Sequence, residues 1–220
     1  MSLKLAIWDV DGTLIDSRQV IQNAMARAFV DVGRPPPTYE QTRQIVGLSL
    51  HDAMAAMAPD LEGEGLNALV EAYRAAFVAN RADGRGHEPL YAGAHETLTR
   101  LVEAGWLMAI ATGKSRRGLR VLFDLHGIEP LFDTIWCADD GPGKPHPFMV
   151  QEAIRALGVH PDQTVMIGDT AHDMTMARRA GIAGYGVTWG FHTADEIRGA
   201  GADLVFEDFA ALNTALDRFA

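Results

Sequence analysis

The N-terminal stretch Leu3-Lys4-Leu5-Ala6-Ile7-Trp8-Asp9-Val10-Asp11-Gly12-Thr13 is an apolar run that ends abruptly in two carboxylates and a glycine turn. Unbroken apolar character over Leu3–Val10 marks a strand buried on both faces, as in a parallel sheet. Five more short runs share that character: Leu107–Thr112, Thr134–Ala138, Thr164–Gly168, Gly184–Trp189 and Asp203–Phe206. Helical patterns alternate with the later ones, at Ala94–Ala104, Arg116–Leu125, Pro147–Leu157, Asp173–Ala180 and Ala194–Gly199, and Phe209–Phe219 closes the chain. Several stop at a glycine (Gly105, Gly127, Gly158, Gly181), which tolerates the left-handed backbone at a helix end. Strand and helix in alternation mean βαβ units, hence an α/β fold with a doubly wound parallel sheet, a Rossmann-like core.

The rhythm fails between the first strand and Leu107. Ser17–Val32 and Leu66–Asn80 read as long amphipathic helices, with Pro35-Pro36-Pro37 a hard break after the first. Thr38–Val46 and Leu50–Met57 read as shorter helices split at Gly47. We expect a small α-helical cap domain, residues 17–87, inserted into a catalytic core made of residues 1–16 and 88–220. Asp16-Ser17 and the glycine-rich Asp83-Gly84-Arg85-Gly86 suit a hinge.

Composition bounds the chemistry. Among 220 residues, 48% are hydrophobic and 22% charged, ordinary for a globular chain. The formal net charge is −10, which argues against nucleic acid or an anionic membrane surface as partner. The single cysteine, Cys137, precludes an internal disulfide and a thiolate metal cluster. The apolar start is too short for a secretory signal and no run reaches the length of a membrane span, so a cytoplasmic protein is expected. Lysine occurs only at Lys4, Lys114 and Lys144.

In doubly wound sheets, ligands bind at the carboxyl ends of the strands. The first strand ends in Asp9 and Asp11, the second in Thr112-Gly113, and the fourth in Gly168-Asp169, with Asp173 four residues on. Lys144 sits in Gly143-Lys144-Pro145, ahead of the helix leading to that fourth strand. If the strand persists, Asp9 and Asp11 point the same way, and two such carboxylates call for a cation or a shared proton. Taken singly, each residue has a plainer reading. Asp-Gly makes turns, Asp169-Thr170 caps a helix, and Lys144 is a solvated loop charge. The plain readings leave their conjunction at strand ends unexplained.

That conjunction resembles the haloacid dehalogenase superfamily, in its helical-cap phosphatase branch, with a phosphoglycolate phosphatase-like flavour. The motifs are Asp9-Val10-Asp11-Gly12-Thr13-Leu14-Ile15-Asp16-Ser17, Ala111-Thr112-Gly113-Lys114, Gly143-Lys144-Pro145-His146-Pro147 and Gly168-Asp169-Thr170-Ala171-His172-Asp173. Arg43-Gln44-Ile45-Val46-Gly47 and Gly186-Val187-Thr188-Trp189-Gly190 suit it too. Trp8, where phenylalanine is common, and Ala92, where proline is, are departures away from the chemistry. The resemblance implies a Mg2+-dependent phosphatase for a small phosphomonoester, either phosphoglycolate-like or a sugar phosphate, working through an aspartyl-phosphate intermediate. Asp9 would be the nucleophile and Asp11 the acid and base. Thr112, Gly113 and Lys144 would bind phosphate. The metal would be held by Asp9, the Asp11 carbonyl and Asp169, with Asp173 in support. In the cap, Arg43, Gly47 and His51 are candidate substrate contacts, Arg43 through a fork to a carboxylate.

Other reactions of the superfamily fit less well. Carbon–halogen cleavage dispenses with the acid at Asp11. Schiff-base phosphonate cleavage needs a cap lysine, and Arg18 to Pro89 contains none. That same gap weighs against a phosphosugar mutase, which stays open as the alternative. A non-catalytic phosphate-ester-binding protein is the more distant one. Oligomeric state is not legible.

Overall fold

The computed structural model describes residues 3–82 and 87–219. The expected hinge at 83–86 lies outside them. Six parallel strands form one sheet: β1 (Leu5–Trp8), β2 (Leu107–Ala111), β3 (Thr134–Trp136), β4 (Thr164–Gly168), β5 (Ala183–Val187) and β6 (Leu204–Phe206). Their spatial order is β3-β2-β1-β4-β5-β6, so the chain reverses direction across the sheet between β1 and β4. There Trp8 pairs with Ile167, and the Asp9 amide donates to the Ile167 carbonyl at 2.9 Å. The crevice at that reversal is where a doubly wound sheet binds ligands.

Period-two alternation explains the double burial of β1. Ala6 and Trp8 enter one core with Leu98 and Leu101 of α5 (Ala94–Glu103) and Leu119 of α6 (Arg116–His126). Leu5 and Ile7 enter the other, with Met149 and Val150 of α7 (Phe148–Leu157) and Ala177 of α8 (Ala171–Ala180). Beyond these, α9 (Ala194–Gly199) and α10 (Phe209–Asp217) complete the flanks. Gly127, Gly158 and Gly181 adopt the left-handed conformation at the ends of α6, α7 and α8. No helix among the described residues is long and apolar enough to cross a membrane.

Four helices lie between β1 and α5: α1 (Arg18–Asp31), α2 (Tyr39–Arg43), α3 (Leu50–Met57) and α4 (Gly63–Ala82). They share a core of their own, including Met25, Met54 and Leu69. The chain enters and leaves this bundle side by side. Asp16 donates its amide to the Pro89 carbonyl, and Tyr91 donates to Leu14, both at 2.9 Å.

Two elements are shorter than the sequence pattern implies, each for a local reason. β1 stops at Trp8 because Val10 turns its carbonyl toward the amides of Thr13, Leu14 and Ile15, closing a turn. The strand therefore does not carry Asp9 and Asp11 out on one face, and their carboxylates part to different lysines. α2 ends at Arg43, and the following segment turns at Gly47, whose φ of +96° favours glycine. This segment carries the Gly47 and Leu48 carbonyls onto Gly113 at the end of β2, so closely that a Cβ at Gly113 would overlap both.

Gly113→Ala should therefore push the 47–48 segment off the sheet and cost about 1–3 kcal/mol, as overpacking does. Urea unfolding followed by circular dichroism measures it, and a loss below about 0.5 kcal/mol, the level of an ordinary surface change, contradicts this seating.

Candidate active site

Three carboxylates converge at the reversal point. Asp9 follows β1, Asp169 follows β4, and Asp173 stands on the first turn of α8. Each is at most 1% exposed, and one oxygen from each lies within 4.8 Å of the others. Lys144, itself buried, bridges two of them, its Nζ 2.6 Å from Asp9 Oδ1 and 2.6 Å from Asp173 Oδ1.

Each acid is held differently. Asp169 is clamped, as Oδ1 accepts the Thr13 hydroxyl at 2.9 Å and Oδ2 accepts the Phe191 amide at 2.8 Å. A side chain at Gly12 or Gly190 would overlap that carboxylate, so two glycines let the backbone close around it. Asp173 serves the helix as well as the cluster. Thr170 caps α8, and Asp173 Oδ2 accepts the Thr170 amide and hydroxyl in return. That reciprocal cap starts α8 at Ala171, two residues before the sequence pattern places it. The plain reading of Asp169-Thr170 as the cap is met by Thr170 with Asp173, while Asp169 takes no part in the cap, and each Asp173 oxygen does one job. Asp9 is the least restrained. Neither of its oxygens has a well-oriented hydrogen-bond donor, and the contact with Lys144 is one of charge and distance.

Burial dominates the electrostatics. It pushes the Asp9 carboxyl up to about 7, against the pull of Lys144 and with a further push from Asp173. Burial likewise raises Asp169 well above the usual carboxylate range, with the charges of Asp9 and Asp173 adding to it. Lys144 is raised as well, for the opposite reason: burial favours its neutral form, but Asp173 and Asp9 outweigh this and strengthen its hold on the proton. A cluster of hard oxygens this short of positive charge suits a hard divalent cation. Asp9 Oδ1 and Asp173 Oδ1 share the single ammonium of Lys144.

Thr112 ends β2, buried, its Oγ1 accepting the Lys114 amide at 3.2 Å. Gly113 lies beneath the 47–48 segment. Asp11 is directed at Lys114, whose Nζ lies 2.9 Å from Asp11 Oδ1 and 3.2 Å from Glu88 Oε1.

Of the bundle residues singled out from sequence, Gly47 alone sits over the crevice, against Thr170. Arg43 is occupied. Its guanidinium donates to Glu40 at 2.5 Å and to both oxygens of Glu196 at 2.8 and 3.0 Å, and its side chain is only 12% exposed. Gln44 donates to the same Glu196 at 2.7 Å. His192 meets the Arg43 carbonyl at 3.2 Å and His172 the Gln44 carbonyl at 3.1 Å, so this segment is fastened to the core from several sides. His51 is exposed and lines a recess with Ala55, Pro59 and Leu66. Sequence reasoning passed over Glu88 and Glu196, and it named Thr13 and Lys114 within motifs without assigning them a contact. The one available signal was the scarcity of lysine, which marks Lys114 as it marks Lys144.

Comparison with known proteins agrees with this geometry. Over 211 residues the chain is 35% identical to the probable phosphatase IndB of Dickeya dadantii, covering 94% of this chain and 90% of that one. It is 32% identical to a phosphoglycolate phosphatase of Pseudomonas putida over 95% of this chain and 78% of the relative. The solved structure of a hydrolase from Pseudomonas syringae superposes over the full length of both chains with a TM-score of 0.87 at 26% identity. Residues 6–187 match the haloacid dehalogenase-like hydrolase family. With its acids at the carboxyl ends of β1 and β4, the chain belongs to that family.

Proposed function

We propose that the protein is a Mg2+-dependent phosphatase that hydrolyses a small phosphomonoester through a phosphorylated Asp9. One observation carries this reading. A buried carboxylate without an oriented donor stands at the sheet's reversal point, 2.6 Å from a buried lysine and beside two further acids. That is an anion kept bare of water and paired with a cation that can also meet a phosphoryl group. Its likeness to relatives described as phosphatases supports the choice of reaction.

Each residue then has a task. Asp9 Oδ attacks phosphorus, forming an acyl phosphate as the ester P–O bond breaks. Lys144 neutralises the transferring group as a compact point charge, and Asp173 keeps it in place. Thr112 and the Gly113 amide hold phosphoryl oxygens. Asp11 gives its proton to the departing alcohol, then takes one from the water that attacks the acyl phosphate. Phosphate leaves and Asp9 is restored. Asp9, the Asp11 carbonyl and Asp169, with Asp173 in support, would hold magnesium, which when bound supplies the charge neutralisation that lets one anion approach another.

On this reading residues 17–87 are a cap over a core of residues 1–16 and 88–220. The separate core of the bundle and the paired crossings at 14–16 and 89–91 support that division. The acidic chain works as a cytoplasmic enzyme on small molecules, without nucleic acid or membrane partners. The absence of lysine between Arg18 and Pro89 favours hydrolysis over phosphosugar mutation.

Asp9→Asn should lower turnover of phosphomonoesters by at least about a thousandfold, the scale on which removing a nucleophile acts, while its circular dichroism spectrum stays native. Activity within tenfold of the parent removes Asp9 from the reaction. Asp9 also sets a pH dependence. Its folded pKa of about 7 lies above its unfolded value of 3.8, so the folded chain keeps a proton the unfolded chain has lost. The stability it contributes is fully present below the unfolded value and is lost as pH rises through about 7. In EDTA, melting temperature should fall over that window in the parent more steeply than in Asp9→Asn, and Mg2+ should restore the parent above pH 7. Parallel curves for the two proteins contradict the assignment.

A further inference from the structure

Both oxygens of Asp169 are set by groups that belong to, or are held by, one loop: residues 188–193, between β5 and α9. The Phe191 amide donates to Asp169 Oδ2 at 2.8 Å. The Trp189 indole donates at 3.0 Å to the carbonyl of Thr13, whose hydroxyl holds Asp169 Oδ1. The same loop also carries the helical bundle. The Phe191 ring is buried in an apolar cluster with Ile21 of α1 and Val46, which follows α2. It lies so close over Gly12 that a Cβ there would overlap it. The Phe191 carbonyl accepts from Arg43 at 3.4 Å, and Glu196, at the start of α9, receives the rest of that guanidinium. Tyr91, on the crossing back from the bundle, donates its hydroxyl to the Trp189 carbonyl at 3.0 Å. Contacts made by the bundle and contacts made to Asp169 thus meet on a few adjacent residues.

We propose that Phe191 is a positioning residue that couples the seating of the bundle to cation binding at Asp169. Its ring packs against the bundle, its amide aims the carboxylate, and each event strengthens the other. The inference rests on the metal-dependent reading above and adds to it a control by the bundle. With the bundle seated, the ring is trapped between Ile21, Val46 and Gly12, and the amide beside it is fixed on Asp169. With the bundle lifted, Phe191 loses Ile21 and Val46, the loop loses Arg43, and the amide is freer to turn away. Groups that orient a ligating carboxylate govern how tightly it holds a metal. Linkage then runs both ways: whatever factor the seated bundle adds to cation affinity, the bound cation returns to the seating of the bundle.

The test is cation binding by the full chain without substrate. Mn2+ serves as a hard divalent probe for the Mg2+ site, its free form counted by electron paramagnetic resonance. Phe191→Ala should weaken Mn2+ binding at least about fivefold, the lower end of ordinary coupling between sites. Phe191→Leu, which keeps an apolar body in the cluster, should recover most of that loss. Glu196→Gln, which weakens the grip on Arg43 and leaves the Phe191 ring in place, should cost about threefold or more. Circular dichroism confirms that each variant is folded. In the parent, Mg2+ should slow amide hydrogen exchange across residues 39–50, and Phe191→Ala should abolish the slowing. Arg34→Ala breaks an ion pair with Asp60 inside the bundle and should leave Mn2+ affinity unchanged. Affinity unmoved in Phe191→Ala or Glu196→Gln, no recovery in Phe191→Leu, an equal loss in Arg34→Ala, or exchange that Mg2+ does not slow overturns the inference and leaves the phosphatase reading intact. A parent chain that binds no Mn2+ overturns the inference and the metal dependence together.

Discussion

The structure is organised around an electrostatic problem: Asp9, Asp169 and Asp173 are buried within reach of one another with Lys144 as the counter-charge among them. Burying a charge is costly unless it is paired, and one lysine cannot pair three acids. The surrounding backbone meets part of the cost. Thr13 and the Phe191 amide hold Asp169, and the Thr170 cap absorbs one oxygen of Asp173. Asp9 relies on Lys144, which it shares with Asp173, and burial still pushes its carboxyl up to about 7, so the acid proposed to react is one whose charge is incompletely met. Strain of this kind at a site, offset elsewhere in the fold, is what function exacts from stability.

The helical bundle completes the enclosure. Glu196, on the core, receives Arg43 and Gln44 together, and the 47–48 segment rests on Gly113. Hydrogen bonds from Arg43 hold the Glu196 carboxyl well below its usual range, the mark of a firmly made ion pair. With Asp9, Asp169 and Asp173 at most 1% exposed, charges there act more strongly than they would in solvent. The same fastening commits Arg43, and Asp11 with Glu88 commits Lys114. Lys144, at the sheet's reversal point, is likewise shared by Asp9 and Asp173.

The legible part of the site was what strand ends dictate. Asp9, Thr112 and Asp169 follow short apolar runs whose burial on both faces forces a parallel sheet, and the order of elements then brings them together. The long helices were legible from their apolar faces, and α6, α7 and α8 from their glycine stops. The orientation of Asp11 was not, because a turn made by backbone hydrogen bonds to Val10 replaces the strand there. The partners of Arg43 and Lys114 were not legible either. Glu196 and Glu88 lie far from them in sequence, and which carboxylate an arginine or lysine meets depends on how the bundle seats on the sheet. A short local pattern carries no record of that placement.

The central claim is that Asp9 itself becomes phosphorylated. Rapid quenching in acid during turnover of a phosphomonoester, followed by peptide mass spectrometry, reads this directly. The account predicts a phosphoryl group on the peptide bearing Asp9, present with Mg2+ and absent when the metal is removed with EDTA. Steady turnover with no phosphorylated Asp9 at any quench time, or with the phosphoryl group on another residue, would contradict it.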